Sequence, residues 1–298
     1  MAKNDLPRKL TVREFFKRFP DDDQCLDHVM AVRFGHRHTC QACGVVDATF
    51  HRLQNRKAYE CAHCAHHLYP CAGTIFQDSR TPLQVWFYAL YLFSVSRNGV
   101  GAKELERALG VTYKTAWRMA RQIRCLMEKA DGGADALLSG HIEADEAYIG
   151  GHRKGKAGRG AEGKTVVLGL KQRGGQLLAK IIPNASGETL QPIFRKHVKR
   201  GSIVSTDQWR GYTLLKYTHN HLKVNHAAKE YARSDEASGE RVHVNAVENF
   251  WGHFKASVRG THVHISAKHM DKYLGEFTYR ANHSHLGNAM FDALISAL

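Results

Sequence analysis

Two cysteine pairs constrain this chain more than any other feature. They read C-x2-C at Cys40 and Cys43 and again at Cys61 and Cys64, with 17 residues between the pairs. Zinc takes four thiolates in a tetrahedron, and each knuckle presents two of them from one tight turn. The spacing predicts a zinc ribbon, with structural Zn2+ held by Cys40, Cys43, Cys61 and Cys64. Gly44 follows the second thiolate, where such a knuckle needs backbone freedom. A redox dithiol is the competing reading, but two paired copies without a βαβ context oppose it. His63, His66, His67 and Cys71 could each replace a ligand and are read instead as surface or packing residues. Cys25 and Cys125 fall in helical patterns and read as small apolar packing groups.

The charge balance says what a chain with such a module binds. Lys plus Arg number 43 against 28 Asp plus Glu, for a formal net charge of +15. An excess of that size calls for a polyanion, and nucleic acid is the usual one. The longest apolar run, Val85 to Val95, is too short to span a bilayer and reads as a buried helix. The first residues, "MAKNDLPRKL", hold no apolar signal core. A cytoplasmic protein associated with the bacterial nucleoid is expected, and that reducing setting favours metal ligation over disulfides.

Periodicity divides the chain into four parts. Residues 1–35 read as a helical segment, and 36–80 as the zinc ribbon. Residues 81–130 read as a helix-turn-helix region, and 131–298 as one α/β domain entered through the linker "DGGADALLSG". Within the third part, residues 102–109 form one helix, "LGV" the turn, and Thr112 the N-cap of a second helix. Ala116, Ala120, Ile123 and Met127 make one apolar stripe on that helix, while Lys114, Arg118 and Arg121 share another face. A basic second helix suits the major groove of double-stranded DNA, although a solvated helical hairpin would look similar.

The fourth part places carboxylates on strands. In "HIEADEAYIGG" the pairs Ile142/Ala144 and Glu143/Asp145 alternate across the sheet; in "GSIVSTDQW" Ile203, Ser205 and Asp207 share a face. Each apolar run is expected to end at its Asp, at a strand tip. Acids at neighbouring strand tips suit Mg2+, which takes oxygen ligands. "VNAVENFWGHFKASVRG" is helical throughout, with Val247, Phe250, Trp251, Phe254 and Val258 on one arc. Asn245, Glu248, Gly252, Lys255 and Arg259 lie on the opposite arc. A solvated polar face is the plain alternative for that second arc.

"IEADEAYIGG", "VSTDQWRGY", "HVNAVENFWGHFKASVRG" and "YLGEFTYRAN" resemble the DDE-type transposases of the ISXO-like family (insertion sequence 1595). The likeness runs from about Phe15 to Asn282. It implies a multidomain α/β protein: a zinc ribbon and helix-turn-helix, then a ribonuclease-H-like catalytic domain with a mixed sheet flanked by helices. It implies cleavage of element ends and joining to target DNA by two-metal phosphoryl transfer with Mg2+ or Mn2+. Carried over by motif, Asp145, Asp207 and Glu248 become the metal-binding acids, with Asn245 as the alternative third ligand. Lys255 becomes a phosphate contact, and Arg259 a further DNA contact. A homodimer or higher oligomer on DNA is implied as well. Gln208 departs from the pattern, since the family usually has Gly after the second Asp.

"GRGAEGKT", Gly158 to Thr165, matches the P-loop pattern letter for letter. A P-loop needs a strand before its glycines and a helix from its Lys-Thr end. "GGHRKGKA" precedes it, and the β-branched "KTVVLGLKQRGGQLLAKIIP" follows and reads as a hairpin. An ATPase is therefore the remote alternative. The nearer one is a DNA-binding protein or transposase relic without cleavage. Arg153, Lys154 and Lys156 in this stretch are expected to grip DNA phosphate beside the first acid.

Overall fold

The computed structural model describes residues 10–35, 37–132, 136–150 and 163–298. The chain divides into two compact units, Met1–Leu126 with His285–Leu298, and Met127–Ser284. Among the described residues no helix is long and apolar enough to cross a membrane.

The first unit opens with α1 (Val12–Arg18) and α2 (Asp22–Phe34). Thr11 and Glu14 form a capping box on α1, and Asp21 caps α2, which satisfies N–H groups that a helix start leaves unpaired. A three-stranded antiparallel sheet follows: β1 (Phe50–Arg52), β2 (Tyr59–Cys61) and β3 (His67–Leu68). The apolar run expected to be a buried helix is α3 (Leu83–Val95). The closing helix of the chain, α9 (Met290–Ser296), packs in this unit. Phe291 meets Phe15 and Phe19 at ring centroid distances of 5.9 and 5.6 Å, and Phe19 meets Phe87 at 4.9 Å. Each such fully buried ring contributes roughly 2–3 kcal/mol.

α4 (Ala102–Leu109) ends at Gly110, whose φ of 64° is the left-handed C-cap that glycine adopts freely. α5 (Tyr113–Asp131) then starts under Thr112, whose Oγ1 accepts the Thr115 N–H at 3.4 Å. Ala116, Ala120, Ile123 and Met127 are fully buried, as their spacing requires. The division between the units falls within α5.

The second unit is built on five strands: β4 (His141–Ile149), β5 (Thr165–Gln172), β6 (Leu177–Ile182), β7 (Ile203–Asp207) and β8 (Asn220–Val224). Their spatial order is β6-β5-β4-β7-β8. β4, β5 and β6 run antiparallel in sequence; α6 (Gly187–His197) then carries the chain to β7, which pairs parallel to β4, and β8 pairs parallel to β7. This is the ribonuclease-H-like mixed sheet. Helices cover both faces. α7 (Asn245–Ser257) and α8 (Met270–His283) bury Val247, Trp251, Phe254, Leu274 and Phe277 with Ala147 and Ile149 of β4. On the other face Leu190 and Phe194 of α6 pack with Ile142 and Ala144.

Two expectations need correcting. β4 does not end at Asp145 but continues to Ile149, because the antiparallel partner β5 pairs with it all the way to Thr165. The helix expected through Gly260 leaves α geometry at Ser257 and finishes as a π-helical turn, Val258–His262. Thr165 opens a strand, not a helix, so a P-loop has no helix to cradle phosphate. Most of "GRGAEGKT", with Arg153, Lys154 and Lys156, lies outside the described residues.

Candidate active site and zinc centre

The four cysteine sulfurs lie within 4.8 Å of one another. Cys40 and Cys64 are 3.7 Å apart and Cys43 and Cys61 are 4.0 Å apart. Thiolates at about 2.3 Å from a tetrahedral ion are about 3.8 Å from one another, so this donor set fits structural zinc. Both knuckles close with the same backbone bond: Gly44 N–H to Cys40 C=O at 2.8 Å, and Ala65 N–H to Cys61 C=O at 3.0 Å. Among the described residues these four are the His, Cys, Asp and Glu side chains whose ligand atoms gather this tightly. Cys71 is buried apart from them, and burial pushes its thiol pKa up.

On α5, Lys114, Arg118 and Arg121 are exposed together. Arg118 rests its guanidinium 5.9 Å from the Trp86 ring centroid and 3.5 Å from Ser79 Oγ. The basic face is therefore partly anchored by its own unit.

In the second unit the strand register positions the acids. The parallel pairing of β4 with β7 stops at Glu143 and Ser205. Asp145 and Asp207 each lie two residues beyond that last pair, where the strands part. The mouth of such a parting is where open α/β sheets bind ligands. α7 brings Glu248 to the same place. Burial, then the charges of Glu146, Asp207 and Glu248, push the Asp145 carboxyl up to about 7. The three acids thus lie close enough to act on one another electrostatically, and a divalent cation among them would relieve that repulsion. Lys255 is half-buried on α7, two turns beyond Glu248, and Arg259 is exposed in the π-helical turn. Asn245 is the exposed first residue of α7.

Gln208 disturbs nothing. The Asp207 carboxylate accepts the Trp209 N–H at 2.9 Å, which closes the turn across Gln208. Gln208 keeps an ordinary negative φ, so glycine is not required there.

The sequence reading assigned no role to several residues that build this site. Glu143 is fully buried; it accepts N–H bonds from Ala246 and Val247 at the start of α7, and Arg173 Nε reaches it at 2.9 Å. Glu146 points to the other face, where Tyr212 Oη donates to it at 2.7 Å. His226 Nδ1 lies 3.7 Å from Glu248. Gly169 is the register partner of Asp145, and a Cβ on it would meet Trp251 and Val247 at 2.7 Å. Three carboxylates within "EADE" were the one local signal of such a division of labour.

An ISXO2-like transposase domain model matches residues 137–282, and a transposase zinc-ribbon domain model matches residues 20–67. An uncharacterized transposase-like protein of Haemophilus influenzae is 33% identical over 107 residues, 36% of this chain and 80% of that protein. The chain belongs to the ISXO2-like transposase family. A second relative, an uncharacterized protein in transposable element ISH50 of Halobacterium salinarum, is 27% identical over 81% of this chain and 83% of its own length. Among solved structures, a pre-cleavage Mos1 transpososome is similar at 14% identity, with 70% of this chain and 77% of that chain covered and a TM-score of 0.26. The Mos1 strand transfer complex gives the same TM-score, 0.26. The family domain spans all five strands and the candidate acids, and the zinc-ribbon domain spans all four thiolates.

Proposed function

We propose that this transposase-family protein binds the ends of its insertion element, cleaves them and joins them to target DNA by phosphoryl transfer. The observation that carries this reading is the electrostatic coupling of Asp145 to Asp207 and Glu248, with the Asp145 carboxyl raised to about 7 by burial and then by its acidic neighbours. These three would hold magnesium or manganese, with Asn245 the alternative to Glu248. A divalent pair held there would activate the attacking oxygen and offset charge on the leaving one. Lys255 on the same helix and Arg259 in the π-helical turn that follows it would hold DNA phosphate beside the acids. Burial and the acidic neighbours raise the metal-free Asp145 carboxyl, and a divalent cation would displace the proton it holds.

In this reading residues 36–80 and 81–130 hold the element end, through the ribbon and through Lys114, Arg118 and Arg121. Residues 131–298 perform the chemistry, after the helical segment 1–35. Arg153, Lys154 and Lys156 would steady the same DNA. A homodimer or larger oligomer on paired ends, in the cytoplasm with the nucleoid, completes the proposal.

The test is excision and strand transfer on a supercoiled plasmid carrying the element ends. Asp145→Ala, Asp207→Ala and Glu248→Ala should each abolish nicking and keep end binding. Wild-type nicking in any one removes that residue from the set. End binding by the wild type without nicking under magnesium or manganese would leave a DNA-binding relic instead.

A further inference from the structure

Beside Lys255 the second unit carries a cavity of about 620 Å³, within the size range of sites that enclose a small organic group. Three kinds of surface meet in it. One wall is Glu146 to Gly150, the end of β4 and the residue after it, past the point where β7 stops pairing, so among the described residues no strand pairs with that backbone edge. Ile149 and Ile265 supply apolar contact, and Lys164, Lys255 and Arg259 supply positive charge. The acid among the lining residues, Glu146, is engaged by Tyr212. A polar edge, an apolar face and a cluster of cations are together what a nucleotide presents surfaces for: base edge, base face and phosphate.

The rim adds an independent feature. Val263 lines the mouth and is 80% exposed. Its backbone stands at φ 61°, ψ −49°, and the His264 N–H closes onto the His262 C=O at 2.6 Å. That is a γ-turn of the rare strained kind, with a β-branched residue at its centre, and such strain costs on the order of 1–3 kcal/mol. Burial of the side chain returns nothing, because it is exposed. A π-helical turn, Val258–His262, leads into it. Exposed apolar side chains next to basic grooves enter base steps, and the base so displaced needs a receptacle.

We propose that the cavity receives one nucleotide turned out of duplex DNA, its phosphate on Lys164, Lys255 and Arg259, while Val263 fills the gap left in the base stack. This rests on the reading of the chain as a DNA-acting protein. A mispaired base is already loosened, so the full chain binds a short duplex with one mispaired 2-aminopurine roughly tenfold tighter than the fully paired duplex. The 2-aminopurine fluorescence rises on binding as the base leaves the stack. Val263→Gly relieves the γ-turn and removes the wedge; it should keep affinity for the paired duplex and lose both the preference and the fluorescence rise. Val263→Ile should retain both. If the wild type binds both duplexes equally and without a rise, or if Val263→Gly behaves as wild type, the inference is overturned while the DNA reading stands. If the wild type binds no duplex, both fall.

Discussion

The Glu143 carboxylate accepts the backbone N–H of Ala246 at 2.7 Å. One strand thereby holds the start of the helix that carries Glu248, two residues before it presents Asp145. A carboxylate at a helix N-terminus satisfies orphan N–H groups and meets the positive end of the helix dipole. Removing it also takes the carboxylate from Arg173, whose Nε lies 2.9 Å from Glu143, and leaves that guanidinium with the Arg241 and His243 carbonyls. Glu143→Ala should therefore destabilise the protein by about 3 kcal/mol in urea unfolding. Glu143→Gln, which keeps an acceptor, should lose less. Both should lower strand cleavage more than end binding. Equal unfolding midpoints for wild type and Glu143→Ala would remove the anchoring role.

Gly169 tests how close α7 must sit. Its absent Cβ would stand 2.7 Å from both Trp251 Cζ2 and Val247 Cγ2. Gly169→Ala should cost about 1–3 kcal/mol, because overpacking forces backbone shifts. Adding Val247→Ala should recover part of that loss. A purely additive double mutant would show that the two positions are not coupled.

Stability without metal should depend on pH through Asp145. Its folded pKa, about 7, lies above the ordinary 3.8, so between those values the folded protein holds a proton that the unfolded chain has lost. That contribution is fully present below about pH 4 and is lost as pH rises through 7. In chelator, Asp145→Asn should be more stable than wild type at pH 8 by roughly 2–4 kcal/mol. The two proteins should converge near pH 4. Urea titrations at both pH values read the difference, and a gap that stays constant with pH would refute it.

The two zinc knuckles differ in the residue that follows the second thiolate. Gly44 takes φ 72° and Ala65 takes φ 58° at equivalent positions. Left-handed backbone costs a residue with a Cβ about 1 kcal/mol. Ala65→Gly should slow zinc loss to a competing chelator, and Gly44→Ala should hasten it. Cys40→Ser should lower zinc content below the one ion per chain expected of four thiolates. Unchanged zinc in that variant would exclude Cys40 as a ligand.

The basic face of α5 predicts a salt effect. Each phosphate contact contributes about 0.9 to the slope of log affinity against log salt. Replacing Lys114, Arg118 and Arg121 by Gln should flatten the slope by about 2–3. Arg118 also packs near Trp86, so unfolding of the triple variant must be measured alongside. An unchanged slope would place the DNA elsewhere.

Local order was legible in the letters alone. The knuckle spacing, the Thr112 cap, the Gly110 stop, the β5–β6 hairpin and the buried stripe of α5 depend on residues within a few positions of one another, and periodicity and capping read out such neighbours directly. Asp145, Asp207 and Glu248 could be named from motifs. Their meeting could not, because it depends on where the β4–β7 pairing ends and on how near α7 approaches, which Gly169 and Glu143 govern through contacts across the sheet. The expectation that β4 stops at Asp145 failed because strand length depends on the partner: β5, the next strand, pairs with β4 as far as Ile149. Packing of Phe291 against Phe15 at the far end of the chain was equally silent in the sequence. Short-range chemistry therefore determined the elements and the candidate ligands. Long-range packing, where buried area and strand register are set by residues tens of positions to more than a hundred apart, decided which side chains share a site.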